Sequence, residues 1–175
     1  MRIRLEIADR FRDLAMFNLA MDSKIRACNL MSLRVRDIVQ GVYVQSRAMI
    51  LQHKAKTLVR FEIMKNTRKS LQRWIKVAGL DMGDFLFPSK AIPACHISTC
   101  QYARIVKRGV NSIRLETSAY GTHSLRRTKP ALIYKRTQNL RAVQLLLGYT
   151  KLESTVKYLG IYVDDALELS EQTES

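Results

Sequence analysis

Side chains of the kinds that handle phosphate and protons gather in a few short stretches of this sequence. Gly121-Thr122-His123-Ser124-Leu125-Arg126-Arg127-Thr128 sets an imidazole three residues before a guanidinium, and Leu145-Leu146-Leu147-Gly148-Tyr149 ends an apolar run on a phenol. Tyr158 follows nine positions after Tyr149. Upstream, Arg26 lies in Ser23-Lys24-Ile25-Arg26-Ala27-Cys28-Asn29-Leu30, and Gln52-His53-Lys54-Ala55-Lys56 carries two lysines. A guanidinium fork holds phosphate oxygens with paired hydrogen bonds, an imidazole exchanges protons near neutrality, and a phenol becomes a nucleophile once it ionises. Taken singly, each residue has a plainer reading. Arg26 alone is a solvated or phosphate-binding arginine, and His123 is a residue at a helix start beside the cap Thr122. Tyr158 is one of seven tyrosines, a core or surface ring like Tyr43, Tyr102 and Tyr134.

The order and intervals of these stretches resemble the tyrosine recombinases, the phage-integrase family. The match is to the family's HxxR box at His123 and Arg126, its LLGH box ending here on Tyr149, and its nucleophilic tyrosine at Tyr158. The segment from Ser23 to Ile38 is similar to the family's first box, which makes Arg26 the first catalytic arginine. Lys54, favoured over Lys56, falls where the family keeps a lysine on a hairpin. The resemblance runs from about Leu5 to the acidic C-terminal segment.

What it implies is a DNA strand transferase, a site-specific recombinase or integrase of a mobile element. Arg26 and Arg126 would stabilise charge on the non-bridging oxygens of a phosphodiester, a task that lysine does less well. Lys54 would protonate the leaving 5′ oxygen and His123 would serve as base. Tyr149 would donate a hydrogen bond to a phosphate oxygen, and Tyr158 would attack phosphorus to give a 3′-phosphotyrosine. No metal and no small-molecule cofactor is implied. The implied partners are double-stranded DNA and further copies of the chain, assembled as a tetrameric synapse.

Three positions depart from the family pattern. Tyr149 stands where the family has His or Trp, neutral Asn29 stands where a carboxylate usually orients the site, and Pro130 falls where the helix after His123 should continue. An interior proline costs about 3 kcal/mol or more, and this one is near enough to Arg126 to displace it. The departures open an alternative, an integrase-like DNA-binding protein that is catalytically weakened or inactive. A third reading is a basic RNA-binding protein.

Composition bounds these readings. The 175 residues, 47% hydrophobic, suffice for one sizeable core and are few for two, so a single catalytic domain over 1–175 is expected. The helical DNA-binding domain that precedes it in the family is not found. Formal net charge is +15, although Asp164, Asp165, Glu168, Glu171 and Glu174 crowd a stretch without Lys or Arg. A body this basic points to a polyanion. Cys28, Cys95 and Cys100 show no CxxC spacing, and His53, His96 and His123 form no metal-ligand pair. The cysteines are expected to be buried small apolar residues. With no apolar run of about 18 residues, the protein is expected in the cytoplasm, associated with the nucleoid.

The elements that must hold these side chains are mostly helices. Leu5, Ala8, Phe11, Ala15 and Leu19 follow helical spacing, and a second helix is expected behind Ser23 as cap. Val42–Val44, Ala48–Leu51 and Leu58–Ile63 read as a small antiparallel sheet of about three strands. Asn66 is a candidate cap and Gly79 a stop for the next helix, and Ser98 opens another. Three short helices should carry His123 with Arg126, the run from Asn139 to Gly148, and Glu153 to Tyr158. An acidic helix from Asp164 to Glu171 would close the chain. The fold class is α+β, a predominantly helical core with one small sheet, the DNA breaking-rejoining fold.

Overall fold

The computed structural model describes residues 1–52, 58–149 and 151–159. The run Leu5 to Leu19 forms two helices, α1 (Arg2–Ile7) and α2 (Phe11–Ser23). The break is at Asp9, whose φ of +48° turns the chain left-handed. Helix α2 ends on a second left-handed residue, Lys24, with φ of +57°. Ser23 is therefore the last residue of α2, not the cap of the next helix. Short α3 (Ala27–Met31) begins behind Arg26.

The expected single sheet of three strands is two antiparallel pairs. β1 (Val39–Gln40) pairs with β2 (Tyr43–Val44), and β3 (Arg47–Leu51) pairs with β4 (Leu58–Glu62) in the register Arg47↔Glu62 to Leu51↔Leu58. The tight turn at Gly41, with φ of +61°, folds Tyr43–Val44 back on Val39–Gln40, so that this pair is separate from β3.

Helix α4 (Lys65–Ala78) ends at Gly79 in the left-handed conformation, as expected. It starts behind Met64, not Asn66. The Asp22 carboxylate reaches across from α2 to accept the Met64 N–H at 2.9 Å and the Thr67 hydroxyl at 2.5 Å, doing from a distance what a local cap would do. Helix α5 (Thr99–Ser112) is capped by Ser98, whose side chain accepts from Gln101 N–H.

Three helices close the described chain. α6 (Thr122–Thr137) runs on through Pro130, longer than the short helix expected, and α7 (Leu140–Leu147) lies between an Asn139 cap and Gly148. α8 is Leu152–Leu159. The expected acidic helix lies outside the described residues.

Helix α2 packs on both α4 and α6. Its Leu19 joins Leu30, Met31, Phe61, Leu71, Phe87 and Tyr102 in one buried core, each large side chain contributing about 1.5–3 kcal/mol by leaving water. Within this layer Asn18 accepts from Arg2 at 2.7 Å and donates to Ser70 at 3.1 Å. The cysteines differ from expectation, since Cys95 and Cys100 are exposed and Cys28 is half-buried. Among the described residues no helix is long and apolar enough to cross a membrane.

Candidate active site

Arg126 projects from the second turn of α6 and is only 5% exposed. Its Nε donates to the backbone carbonyl of Lys24, its Nη2 to the Leu147 carbonyl at 3.4 Å, and its Nη1 to the Tyr149 hydroxyl at 3.2 Å. The left-handed turn at Lys24 ends α2 and supplies the first acceptor, while the end of α7 supplies the second. One guanidinium thus joins three elements. Pro130, one turn on, has no N–H, so the Arg126 carbonyl lacks its in-helix donor. The helix is nonetheless continuous there, and Pro130 is buried. With Pro130 in place, Arg126 makes all three of these hydrogen bonds.

Arg26 occupies the cap position of α3 with extended backbone, φ −67° and ψ 151°. Its Nη1 donates to the amide oxygen of Gln52 at 2.5 Å, and its guanidinium carbon lies 5.9 Å from the centre of the Tyr149 ring. Asn29, one turn into α3, is buried. Arg26, His123 and Arg126 line one cleft with Ile25, Tyr102 and Thr122. His123 itself is exposed at the start of α6.

The two tyrosines meet edge to face, their ring centres 5.5 Å apart at 80°. Gly148 makes this possible: with φ of +67° it reverses the chain after α7, and a side chain there would run into Val59. Tyr158 comes from the last turn of α8. Its ring centre is 5.1 Å from the Arg126 guanidinium carbon and 5.8 Å from that of Arg127. Its hydroxyl is buried and has no hydrogen-bond partner among the described residues. Burial pushes the Tyr158 hydroxyl well above the ordinary tyrosine value, with Arg126, Arg127 and Arg26 pulling the other way.

Below the arginines lies a second set of charges. The Lys24 side chain is fully buried and pairs with Glu62 at the end of β4 at 3.1 Å, and Lys129 reaches Asp22 at 3.3 Å. Burial lowers the Lys24 pKa, and Glu62 opposes that shift. Lys54 lies outside the described residues, between Gln52 and β4.

The sequence pattern of the phage integrase family matches residues 4–163, nearly the whole chain. The chain belongs to the phage integrase family. It is 26% identical over 153 residues to "Probable integrase/recombinase YoeC" of Bacillus subtilis (strain 168), covering 87% of this chain and 80% of that protein. Among solved structures, the integrase fold here is similar to XerA recombinase, with a TM-score of 0.76 and 18% identity over 99% of this chain. It is also similar to XerH site-specific recombinase bound to palindromic difH substrate in a post-cleavage complex, with a TM-score of 0.72 and 20% identity over 85% of this chain. The chain spans 62% of the XerA chain and 42% of the XerH chain.

Within this integrase core, Arg26, Arg126, Tyr149 and Tyr158 come together from α3, α6, the end of α7 and α8, with His123 at the edge of the cleft. Sequence reasoning missed three participants. Arg127 was passed over beside Arg126, although both guanidinium groups approach the Tyr158 ring. Lys24 and Gln52 act through contacts between segments remote in sequence, for which no local pattern exists.

Proposed function

We propose that this integrase cleaves and rejoins duplex DNA at specific sites through a 3′-phosphotyrosine on Tyr158. The observation that carries the reading is the convergence of Arg26, Arg126 and Tyr158 around the Tyr149 ring on a chain of net charge +15. The Tyr158 oxygen forms a bond to phosphorus as the bond from phosphorus to the 5′ oxygen breaks. The leaving oxygen takes a proton from Lys54, and the phenol proton passes to His123. Charge building on the non-bridging oxygens is met by the two guanidinium groups, already fixed by protein acceptors and so requiring little reorganisation. Rejoining reverses the step with a 5′ hydroxyl as nucleophile, so the phosphodiester energy is kept.

Double-stranded DNA is the proposed substrate, held largely through phosphates, and several protomers act together, as a tetramer on paired sites. Tyr149 and Asn29 favour slow turnover, because Arg126 spends a donor on the Tyr149 hydroxyl and Asn29 brings no charge to the site. The test is a covalent trap. The protein is incubated with a pool of nicked duplexes of varied sequence, denatured in detergent, and examined for a protein–DNA adduct. An adduct absent from Tyr158→Phe supports strand transfer. Salt-sensitive duplex binding with no adduct, in the parent and in Tyr149→His alike, would reassign the chain as a DNA-binding relative.

A further inference from the structure

Arg26 has an unusual orienting partner. Among the described residues no carboxylate forms an ion pair with it, and the acceptor of its Nη1 is the neutral amide oxygen of Gln52, at 2.5 Å. Gln52 is only 1% exposed, at the end of β3. A buried glutamine fixed at one end has few alternative arrangements. Its other end lies beside the Gly148 turn, where a side chain added to Gly148 would come within 3.4 Å of the amide nitrogen. That nitrogen has no hydrogen-bond partner among the described residues. An unpaired buried amide group costs on the order of 1–3 kcal/mol, so a core chosen for stability alone would place an apolar side chain here.

We propose that Gln52 is the positioning residue of Arg26, an amide that fixes the guanidinium toward the phosphate without cancelling its charge. The proposal rests on the strand-transfer reading above. A carboxylate would hold Arg26 at least as firmly, but it would also offset the positive charge on which stabilisation of the phosphate depends. Gln52 separates the two effects, supplying direction while leaving the charge whole. Because the same side chain lies against the turn that sets Tyr149, it also ties the position of Arg26 to that of the α7–α8 connection.

Two readouts test this. In the full-length protein carrying 15N-labelled arginine, the Arg26 side-chain signals are assigned by their loss in Arg26→Lys. Hindered rotation should keep its Nη signals resolved in the parent and in Gln52→Glu, and merge them in Gln52→Ala, with those of Arg126 unchanged. Resolved Arg26 signals in Gln52→Ala, or merged signals in the parent, would overturn the proposal.

On a duplex that the parent cleaves, Gln52→Ala should slow adduct formation by between about tenfold and a hundredfold at unchanged duplex affinity. Gln52→Glu should be slow at neutral pH and recover relative to the parent as pH falls and the new carboxyl is protonated. An unchanged rate in Gln52→Ala, or a Gln52→Glu deficit independent of pH, would also overturn it. If the parent forms no adduct with any duplex, the strand-transfer reading fails, and the spectra still decide whether Gln52 holds Arg26.

Discussion

The Arg126 guanidinium donates to the Tyr149 hydroxyl at 3.2 Å, so one of the two arms that would grip a phosphate oxygen is engaged by a neighbouring side chain. Under the proposed function, an incoming phosphate would have to compete with that phenol. Tyr149→Phe frees the arm but removes the phenol's own donor, and should lower adduct formation about tenfold, the scale of one lost hydrogen bond. Tyr149→His restores a compact donor and should raise the rate above that of the parent. A rate in Tyr149→His at or below that of Tyr149→Phe would show that the phenol is not what limits the site.

Tyr158 carries a buried hydroxyl with no partner among the described residues. Its removal in Tyr158→Phe should abolish the adduct and leave the fold equally or more stable, by up to about 1 kcal/mol or a few degrees in Tm. The raised pKa of this group has a sign that can be checked. Its folded value lies above the ordinary 10, so the folded state holds the proton more tightly. The stability this contributes is complete below pH 10 and is lost as pH rises through the folded value. Denaturant midpoints of parent and Tyr158→Phe should therefore diverge in alkaline solution, the parent falling further below the variant, and parallel profiles would count against the raised value.

How much of this was legible in the sequence depended on how local the relationships are. The intervals from Arg126 to Tyr149 and Tyr158 are set by helices and one glycine turn, and those signals survive in the primary structure. The bond from Arg26 to Gln52 spans 26 residues and that from Arg126 to the Lys24 carbonyl spans 102, and no periodicity encodes either. The proline was read as a breaker because local propensity says so. Tertiary packing overrides it here, with Arg126 and Pro130 both buried on the same helix. The three expected strands were found as apolar runs, but Val39–Gln40, too short and too polar to register, captured the first of them.

The Lys24–Glu62 pair predicts an asymmetry. The lysine side chain is fully buried while Glu62 is 41% exposed. Glu62→Gln strands a buried cation and should cost about 3 kcal/mol, whereas Lys24→Met leaves a carboxylate that water can reach and should be close to neutral. Urea melts of the two variants measure the difference, and equal losses would contradict the one-sided burial.

Pro130→Ala restores an N–H opposite the Arg126 carbonyl. Gain of that bond outweighs the loss of some buried ring surface, and stability should rise by roughly 1–2 kcal/mol. If Arg126 is already held by Lys24 and Leu147, adduct formation should stay within about twofold of the parent, less than half a kcal/mol. A large gain in rate would mean that the proline disturbs the guanidinium after all.

The missing donor at Pro130 also divides α6 mechanically. The segment before it carries His123 and Arg126 and is anchored to the ends of α2 and α7. The segment after it runs out to the left-handed Gln138 and the start of α7. A proline joint is where a helix bends most cheaply, so a load on the distal rod is absorbed at the joint before it reaches the proximal one. The anchoring of Arg126 is thereby insulated from whatever pulls on the far end of the helix.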